Sequence, residues 1–590
     1  MAEMAESTAP AARRRAAWRD PLWLAVPGLV YLLVFLVLPA LGMLSISLTD
    51  TDTGEWSLAA YQRALGVPVY TRIIGNTFAI ALQVTALCLL LGYPLAYWLA
   101  RLPARAQRMT ALLVLLPMWT SALVKNFAWL VLFGRTGIVA GLIQALGFEA
   151  PDLLFNRLTV VFAMTHSMLP IATVSMLSVM TQLDPRLTQA AGTLGASRVT
   201  AFWRIYLPLS MPGVASAGLL VFIGALGYFI TPTLLGSPRE TMMGQAIINQ
   251  VQQMDNLVFA SALSALLIGA ALISCLVYDR IFGLSRVSGG GATARAAGSP
   301  VRRAGLFASR VAARVFGAAA AGLARLLGGH RFGWLLPAYA VALIAVLVLP
   351  ILALVPMAFT SADFMSFPPP AFSTRWFAEY AASPAWTSAT LRSFGIGAAT
   401  AVVTTVLATL AAFGLSRSTS RLSAAAFLLF MTPMVIPSIV VAVALFQLFA
   451  WMGLIATDLG IMIGHVVHAL PIAFVIVLAT LKSYDWRLDQ AAATLGANRP
   501  RAFLRVTMPL IRGGLVAGLI FTFLASFEEL TVALFIGGGL RSTLPKQMWD
   551  DVILQVSPLL VAASVIVVVI VTALFMLAEF FRPRAARAAR

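Results

Sequence analysis

Two stretches of this chain share one pattern: residues 187–208 read LTQAAGTLGASRVTAFWRIYLP, and residues 488–509 read LDQAAATLGANRPRAFLRVTMP. The second copy begins 301 residues after the first and aligns with it without a gap. Both copies contain Gln-Ala-Ala, then three residues, a Gly, nine residues, an Ile or Val, one residue, a Leu or Met, and a closing Pro. A match at a single fixed spacing indicates that the chain is two copies of one unit fused end to end.

The composition around these stretches is that of a membrane protein. Of 590 residues, 60% are hydrophobic and 11% are charged, with a mean hydropathy of +0.90, whereas a soluble domain is about half apolar and a quarter charged. A membrane-crossing helix needs about 20 apolar residues. The sequence therefore predicts an all-α integral membrane protein with twelve spans, at 22–48, 73–99, 110–133, 155–180, 209–235, 258–281, 333–359, 388–415, 424–452, 459–481, 511–537 and 558–581.

The spans divide into two halves of six, at 1–282 and 332–590. Because an even number of spans returns the chain to its starting side, both halves are expected to cross the membrane in the same direction, as a parallel repeat. A Gly/Ala/Arg-rich linker at 283–331 joins them. In it, Phe307, Val311 and Val315 recur every four residues among arginines, which fits either a basic amphipathic helix on the inner leaflet or a tolerated spacer.

The charge distribution predicts the orientation. Most of the 41 Lys and Arg residues fall in the loops that share a side with the N-terminus, and such loops are cytoplasmic under the positive-inside rule. Both termini are thus predicted to lie in the cytoplasm. The net charge of +19 then reflects topology and argues against nucleic acid as a partner. The first apolar run is too long for a signal peptide and is expected to stay as an anchor.

The repeated stretches lie in predicted cytoplasmic loops, at 182–208 and 482–509, between the fourth and fifth spans of each half. Residues 188–194 and 489–495 are Ala-rich and predict a short helix in each loop, which Gly195 and Gly496 would end because glycine favours the residue after a helix C-terminus. Ala190 with Ala191, and Ala491 with Ala492, would offer a small face that another surface can approach closely. The loops are therefore predicted to be docking elements.

The Gln-Ala-Ala…Gly pattern resembles the "EAA" loop of ABC importer permeases, and the whole chain resembles a fused permease of the type I ABC importer class. The resemblance implies a translocation subunit in a bacterial inner membrane that works with two ATPase subunits and an extracytoplasmic solute-binding protein, without a cofactor. It assigns ATPase coupling to Gln189, Ala190, Ala191, Gly195, Gln490, Ala491, Ala492 and Gly496. Gln replaces the acidic residue of the family in both copies. The chain lacks the GxxxxGK[ST] phosphate-binding motif, so it is predicted not to be an enzyme.

The segments GALGYFITPTLLGSPRETMMG (224–244) and LASFEELTVALFIGGGLRSTLP (524–545) resemble those of polyamine (spermidine/putrescine) permeases. Adjacent carboxylates in an apolar span are costly and usually functional, so Glu528 and Glu529, with Tyr228, are predicted to line the path of an organic cation. The equally weighted alternative is that the glutamates cap a helix or pair with Arg541 or Lys546. An iron(III) importer permease and an ion-coupled secondary transporter remain alternative functions.

Other polar residues in the spans are weaker signals. Lys125 and Asn126 in the third span fit either a path lining or, more readily, a lysine that snorkels to the membrane surface. His465 and His468 share a helix face but lack a third ligand, so no metal site is predicted. Cys88 and Cys275 are expected to be small buried hydrophobes.

Overall fold

The computed structural model describes residues 20–50, 53–135, 137–149, 151–282, 334–364, 368–538, 541–555 and 557–581. The linker 283–331, with the amphipathic helix predicted there, lies outside these residues. Within them the chain is helical, and β pairing is confined to the isolated bridges Thr49–Trp56 and Thr360–Phe372. The all-α membrane fold predicted from the composition is confirmed.

Nine helices in the described part of the chain are long and apolar enough to cross a membrane. They are Pro21–Ile46, Pro68–Leu99, Arg157–Met180, Arg198–Leu226, Leu257–Tyr278, Leu335–Ala358, Pro384–Arg417, Asp458–Lys482 and Pro500–Phe527. The twelfth predicted span coincides with the helix Pro558–Phe581. Because apolar side chains cover these helices while their backbone groups bond internally, they satisfy the requirement that lipid imposes on a spanning segment.

The third and ninth predicted spans are not straight helices. Ala104–Met118 and Ala122–Leu132 meet at 85°, and Leu422–Val435 and Ser438–Met452 meet at 100°. A proline stands at each break. In the first pair, Pro117 lies at the start of the 3-10 turn Leu116–Trp119 between the two helices. In the second pair, Pro437 directly precedes Ser438. Proline has no backbone N–H to give to the preceding turn, so the helix ends or bends there.

The fifth and eleventh predicted spans also end earlier than the sequence suggests. Their helices stop at Leu226 and Phe527, and separate short helices follow at Ile230–Leu235 and Thr531–Ile536. The hydropathy hides these breaks because the residues on both sides are equally apolar. The further short helices are Ala59–Gly66, Ile138–Ala145, Arg186–Thr193, Met243–Gln252, Arg375–Ala382, Arg487–Thr494 and Leu544–Leu554.

The two halves repeat one order of elements, with one insertion. The long second helices begin at Pro68 and Pro384, 316 residues apart, whereas the loop helices begin at Arg186 and Arg487, 301 residues apart. The first half has the extra helix Ile138–Ala145 between these positions. The insertion accounts for the change of spacing.

The halves exchange their first spans. Pro21–Ile46 packs on the second half, where Gly28 lies under the ring of Phe430 and Tyr31 donates a hydrogen bond to the Ile463 carbonyl at 2.8 Å. Leu335–Ala358 packs on the first half, where Tyr339 donates to the Leu91 carbonyl at 2.7 Å. Each half therefore contributes its first span to the packing of the other, and neither half completes its core alone.

Candidate functional site

The repeated loops form matching helices on the structure. The two loop helices are Arg186–Thr193 (loop helix 1) and Arg487–Thr494 (loop helix 2). Gly195 and Gly496 follow them with φ of +84° and +83°, the left-handed region that glycine adopts at low cost. The predicted helices and their glycine ends are confirmed.

Both loop helices present an apolar residue to the surroundings. Leu194 and Leu495 are each 88% exposed, and exposed apolar groups that cluster on a surface mark interaction sites. Gln189 and Gln490 are exposed beside them. The same exposed group at equivalent positions of two loops fits the docking role that the sequence predicts.

The small face differs from the prediction in one respect. Ala190 and Ala491 are exposed, but Ala191 is buried and Ala492 is half-buried against the chain itself. Consecutive helical residues point about 100° apart, so both alanines of a pair cannot face outward. The outer alanine of each pair is available to a partner, and the inner one allows the loop helix to approach its own span.

Asp489 holds loop helix 2 in place. Its carboxylate accepts hydrogen bonds from Arg417 at 2.9 Å, Tyr484 at 3.0 Å and Thr507 at 2.8 Å. The Arg417 guanidinium also stacks over the Trp486 ring at 3.7 Å. This network joins the loop helix to the end of one span and the start of another. It lines a surface cavity of about 720 Å³.

Loop helix 1 lacks this anchor. Thr188 stands where Asp489 stands in the second copy, and its hydroxyl donates within the loop to the Pro185 carbonyl at 2.9 Å. Aromatic rings fill the space around the first loop instead, with Phe202 5.0 Å from Tyr97 between ring centres and the Arg101 guanidinium 3.8 Å from the Tyr97 ring. The two loops thus share a shape and differ in how they are held.

A π-helical turn follows each loop helix at the entrance to the next span, at Phe202–Tyr206 and Phe503–Thr507. Such turns are rare and are frequent at functional sites. Sequence reasoning missed them, although the bulky Phe repeated at the start of each turn was visible. Their repetition indicates that the connection between loop and span is a shared feature of the unit.

In the membrane interior, Glu529 caps a helix. Its two carboxylate oxygens accept the Thr531 and Val532 amides at 3.0 and 2.8 Å at the start of the helix Thr531–Ile536. His465 Nε2 lies 3.5 Å from the same carboxylate, and its Nδ1 is 2.7 Å from the Ser526 hydroxyl. For Glu529 the geometry favours the capping alternative.

Glu528 occupies a different environment from its neighbour. Its Oε1 atom is buried without a hydrogen-bond partner among the described residues. Glu528 and Ser121 line one small gap between the halves, and Lys125 lies one helical turn beyond Ser121, whose carbonyl accepts the Lys125 amide at 3.0 Å. Lys546, which the sequence offered as a partner for the glutamates, bonds Asp550 at 2.7 Å.

Lys125 does not snorkel. Its side chain is 6% exposed, and its Nζ donates to the Pro117 carbonyl at 2.9 Å across the break of the third span. Asn126 accepts a hydrogen bond from Thr231 at 2.6 Å, and Tyr228 lies beside both residues. Asn126, Tyr228 and Thr231 thus form a buried polar group that the fold brings together from separate segments, next to the buried Lys125 in sequence.

Comparison with known proteins gives a consistent family match in both halves. Residues 92–285 and 404–587 each match the family described as "Binding-protein-dependent transport system inner membrane component". The spermidine/putrescine transport system permease protein PotB of Escherichia coli K12 is 30% identical over 257 residues, which cover 42% of this chain and 93% of that protein. For the Haemophilus influenzae PotB the identity is 29%, over 42% of this chain and 90% of that protein.

Two further similar proteins are described with other substrates. The molybdenum transport system permease protein ModB of Mycobacterium bovis is 32% identical over 260 residues, 43% of this chain and 92% of that protein. The crystal structure of a bacterial alginate ABC transporter, in complex with an alginate pentasaccharide-bound periplasmic protein, is 20% identical with a TM-score of 0.38, and covers 47% of this chain and 99% of that one. Each of these proteins corresponds to about half of this chain.

Proposed function

The chain belongs to the family of binding-protein-dependent transport system inner membrane components, and from its similarity to spermidine/putrescine permeases we propose that it is the translocation subunit for a polyamine such as spermidine or putrescine. It is a multi-pass inner-membrane permease subunit of an ABC importer, with two family units in one chain. This membership excludes the ion-coupled secondary transporter. Our proposal concerns the substrate, the partner proteins and the orientation of the chain in the membrane.

The similarity to the spermidine/putrescine permeases carries the substrate proposal. The chemistry of the interior is compatible with it, because Glu528 supplies a carboxylate at the boundary between the halves and Tyr228 supplies a ring that can face a cation. Glu529 then acts on the path indirectly, by fixing the helix that begins at Thr531. Iron(III) is the alternative substrate that uptake measurements must separate from a polyamine.

The two loop helices support the proposed coupling. Each ATPase subunit would receive one loop, with Gln189, Ala190 and Leu194 as the first contact surface and Gln490, Ala491 and Leu495 as the second. Gly195 and Gly496 would fix the shape of each loop end. Two loops imply two ATPase copies, and an extracytoplasmic solute-binding protein would deliver the substrate to the opposite face.

The proposed orientation places both termini and both loops in the cytoplasm. The Lys and Arg bias among the loops supports it, as does the position of both loop helices between equivalent spans of a parallel repeat. With six spans per half, the linker 283–331 would also be cytoplasmic.

Reconstitution tests the substrate. The chain is placed in proteoliposomes with candidate ATPase and solute-binding subunits from the same organism, and ATP-dependent uptake of radiolabelled spermidine and putrescine is measured. Saturable uptake that unlabelled polyamine suppresses, and that molybdate and iron(III) leave unchanged, is expected. The molybdenum permease similarity makes an oxyanion the second candidate, and ATP-dependent uptake of labelled molybdate without uptake of polyamine would favour it.

A further inference from the structure

The boundary between the halves contains two contacts related by the internal repeat. In one, Ser121 of the first half faces Glu528 of the second. In the other, Pro437 of the second half faces Gly227 of the first, where an added Cβ would meet the Pro437 Cβ at 2.7 Å. Ser121 and Pro437 each precede the second helix of a bent pair, and Gly227 and Glu528 each follow the end of a span.

Only one of the two contacts carries charge. Lys125 is the fourth residue of the helix Ala122–Leu132, and Val441 is the fourth residue of its counterpart Ser438–Met452. The repeated architecture therefore offers two equivalent places for an acid–base pair. In this chain Lys125 and Glu528 occupy one, and Val441 and Gly227 occupy the other.

Among the described residues, neither Lys125 nor Glu528 has a full set of hydrogen-bond partners. The Lys125 ammonium group can donate three hydrogen bonds, and among the described residues it donates one, to the Pro117 carbonyl. Glu528 Oε1 has no hydrogen-bond partner among the described residues. A buried carboxylate is costly unless an opposite charge lies near it, and Lys125 lies one helical turn beyond Ser121, which lines the same gap as Glu528. The two charged side chains therefore belong to one region of the boundary, without a direct ion pair among the described residues.

We propose that Lys125 is a specificity-determining residue, whose ammonium group serves as the internal counter-ion of Glu528 until a substrate ammonium group replaces it. The two groups have the same chemistry, a protonated amine on an alkyl chain. Exchange of one for the other keeps the carboxylate neutralised throughout passage, and it disfavours neutral and anionic solutes. The inference rests on the proposed polyamine function and adds a competitor within the chain.

Removal of the competitor should tighten the substrate site. Lys125→Met keeps the length and removes the charge, and in reconstituted complexes it should lower the KM for spermidine about tenfold, equivalent to about 1.4 kcal/mol. Glu528→Gln should raise the KM, and the double variant should resemble Glu528→Gln. Val441→Met, at the equivalent uncharged position, is the matched control and should leave the KM unchanged.

Thermal unfolding of the purified transporter separates the pair from the substrate proposal. If Lys125 and Glu528 neutralise each other, Lys125→Met and Glu528→Gln should each lower the Tm, and the double variant should unfold above the more damaged single variant. Additive losses would overturn the pairing. A coupled pair with an unchanged spermidine KM in Lys125→Met would overturn the exchange. Absence of spermidine uptake by the wild-type complex would instead refute the polyamine function, whatever the unfolding data show.

Discussion

The Arg417 guanidinium donates to the Asp489 carboxylate at 2.9 Å and thereby ties the end of a membrane span to loop helix 2. The half-buried carboxylate also accepts bonds from Tyr484 and Thr507. Hydrogen bonds to charged groups contribute more than neutral ones, so this network restrains the loop more strongly than the neutral contacts of loop helix 1. A movement of loop helix 2 is then transmitted directly to the helix Pro384–Arg417.

Asp489→Asn should therefore weaken the transmission between ATP hydrolysis and transport. The change removes the charge that Arg417 meets while it keeps the size, at a cost of about 1–3 kcal/mol to the network. The ratio of solute transported to ATP hydrolysed, measured on reconstituted complexes, should fall. Thr188→Asn at the equivalent position of loop helix 1 is the control, and an equal fall in both variants would contradict a special role for Asp489.

The sequence predicted the repeated framework better than the contacts inside it. Ala-rich letters followed by glycine were enough to place both loop helices and the left-handed residues Gly195 and Gly496, because these depend on local conformation. Lys125 and Glu528 come from opposite halves, and no local sequence pattern relates residues about 400 positions apart. The exchange of first spans was hidden for the same reason, since hydropathy finds a span without saying which half it packs against.

The glycines after the loop helices provide a second prediction. Gly195→Val and Gly496→Val should each reduce uptake severalfold at normal membrane abundance. Neither glycine has another atom within contact distance of an added Cβ, so the defect would arise from the positive φ, which costs a β-branched residue more than about 1 kcal/mol. Gly42→Val, at a helical position that also has open space, is the control, and normal uptake by both loop variants would argue against the docking role.

The two glutamates should respond differently to neutralisation. Glu528→Gln should lower uptake normalised to membrane protein while abundance stays close to wild type, because this carboxylate forms no cap. Glu529→Gln should lower abundance, because only one oxygen remains for the two amides that Glu529 receives, and loss of a cap costs about 0.5–2 kcal/mol. Quantitative immunoblotting beside uptake separates the effects, and the reverse pattern would contradict the assignment.

Orientation is tested by reporter fusions. Alkaline phosphatase and green fluorescent protein, fused in parallel after residue 300 and after residue 590, should report cytoplasm at both sites, and fusions near residue 245 should report periplasm. The Lys and Arg bias is the physical basis of this expectation. A periplasmic signal at residue 300 would disprove the division into six plus six spans and would require one of the bent pairs to re-enter the membrane rather than cross it.

The exchanged first spans give the last prediction. Tyr31→Phe and Tyr339→Phe each remove one hydrogen bond to a carbonyl of the opposite half, and each should destabilise the chain by about 0.5–1.5 kcal/mol. Tyr93→Phe, which removes a hydrogen bond to Ser210 within the first half, serves as the comparison. Thermal unfolding of the purified chain in detergent measures the losses.

The exchange of first spans is tested most directly by a chain that is divided within the linker 283–331 and expressed as two pieces. If each half completes its core with the first span of the other, the pieces should be stable only when they are produced together, and Tyr31→Phe with Tyr339→Phe should loosen their association. Stable separate halves would show that the exchange contributes little to folding.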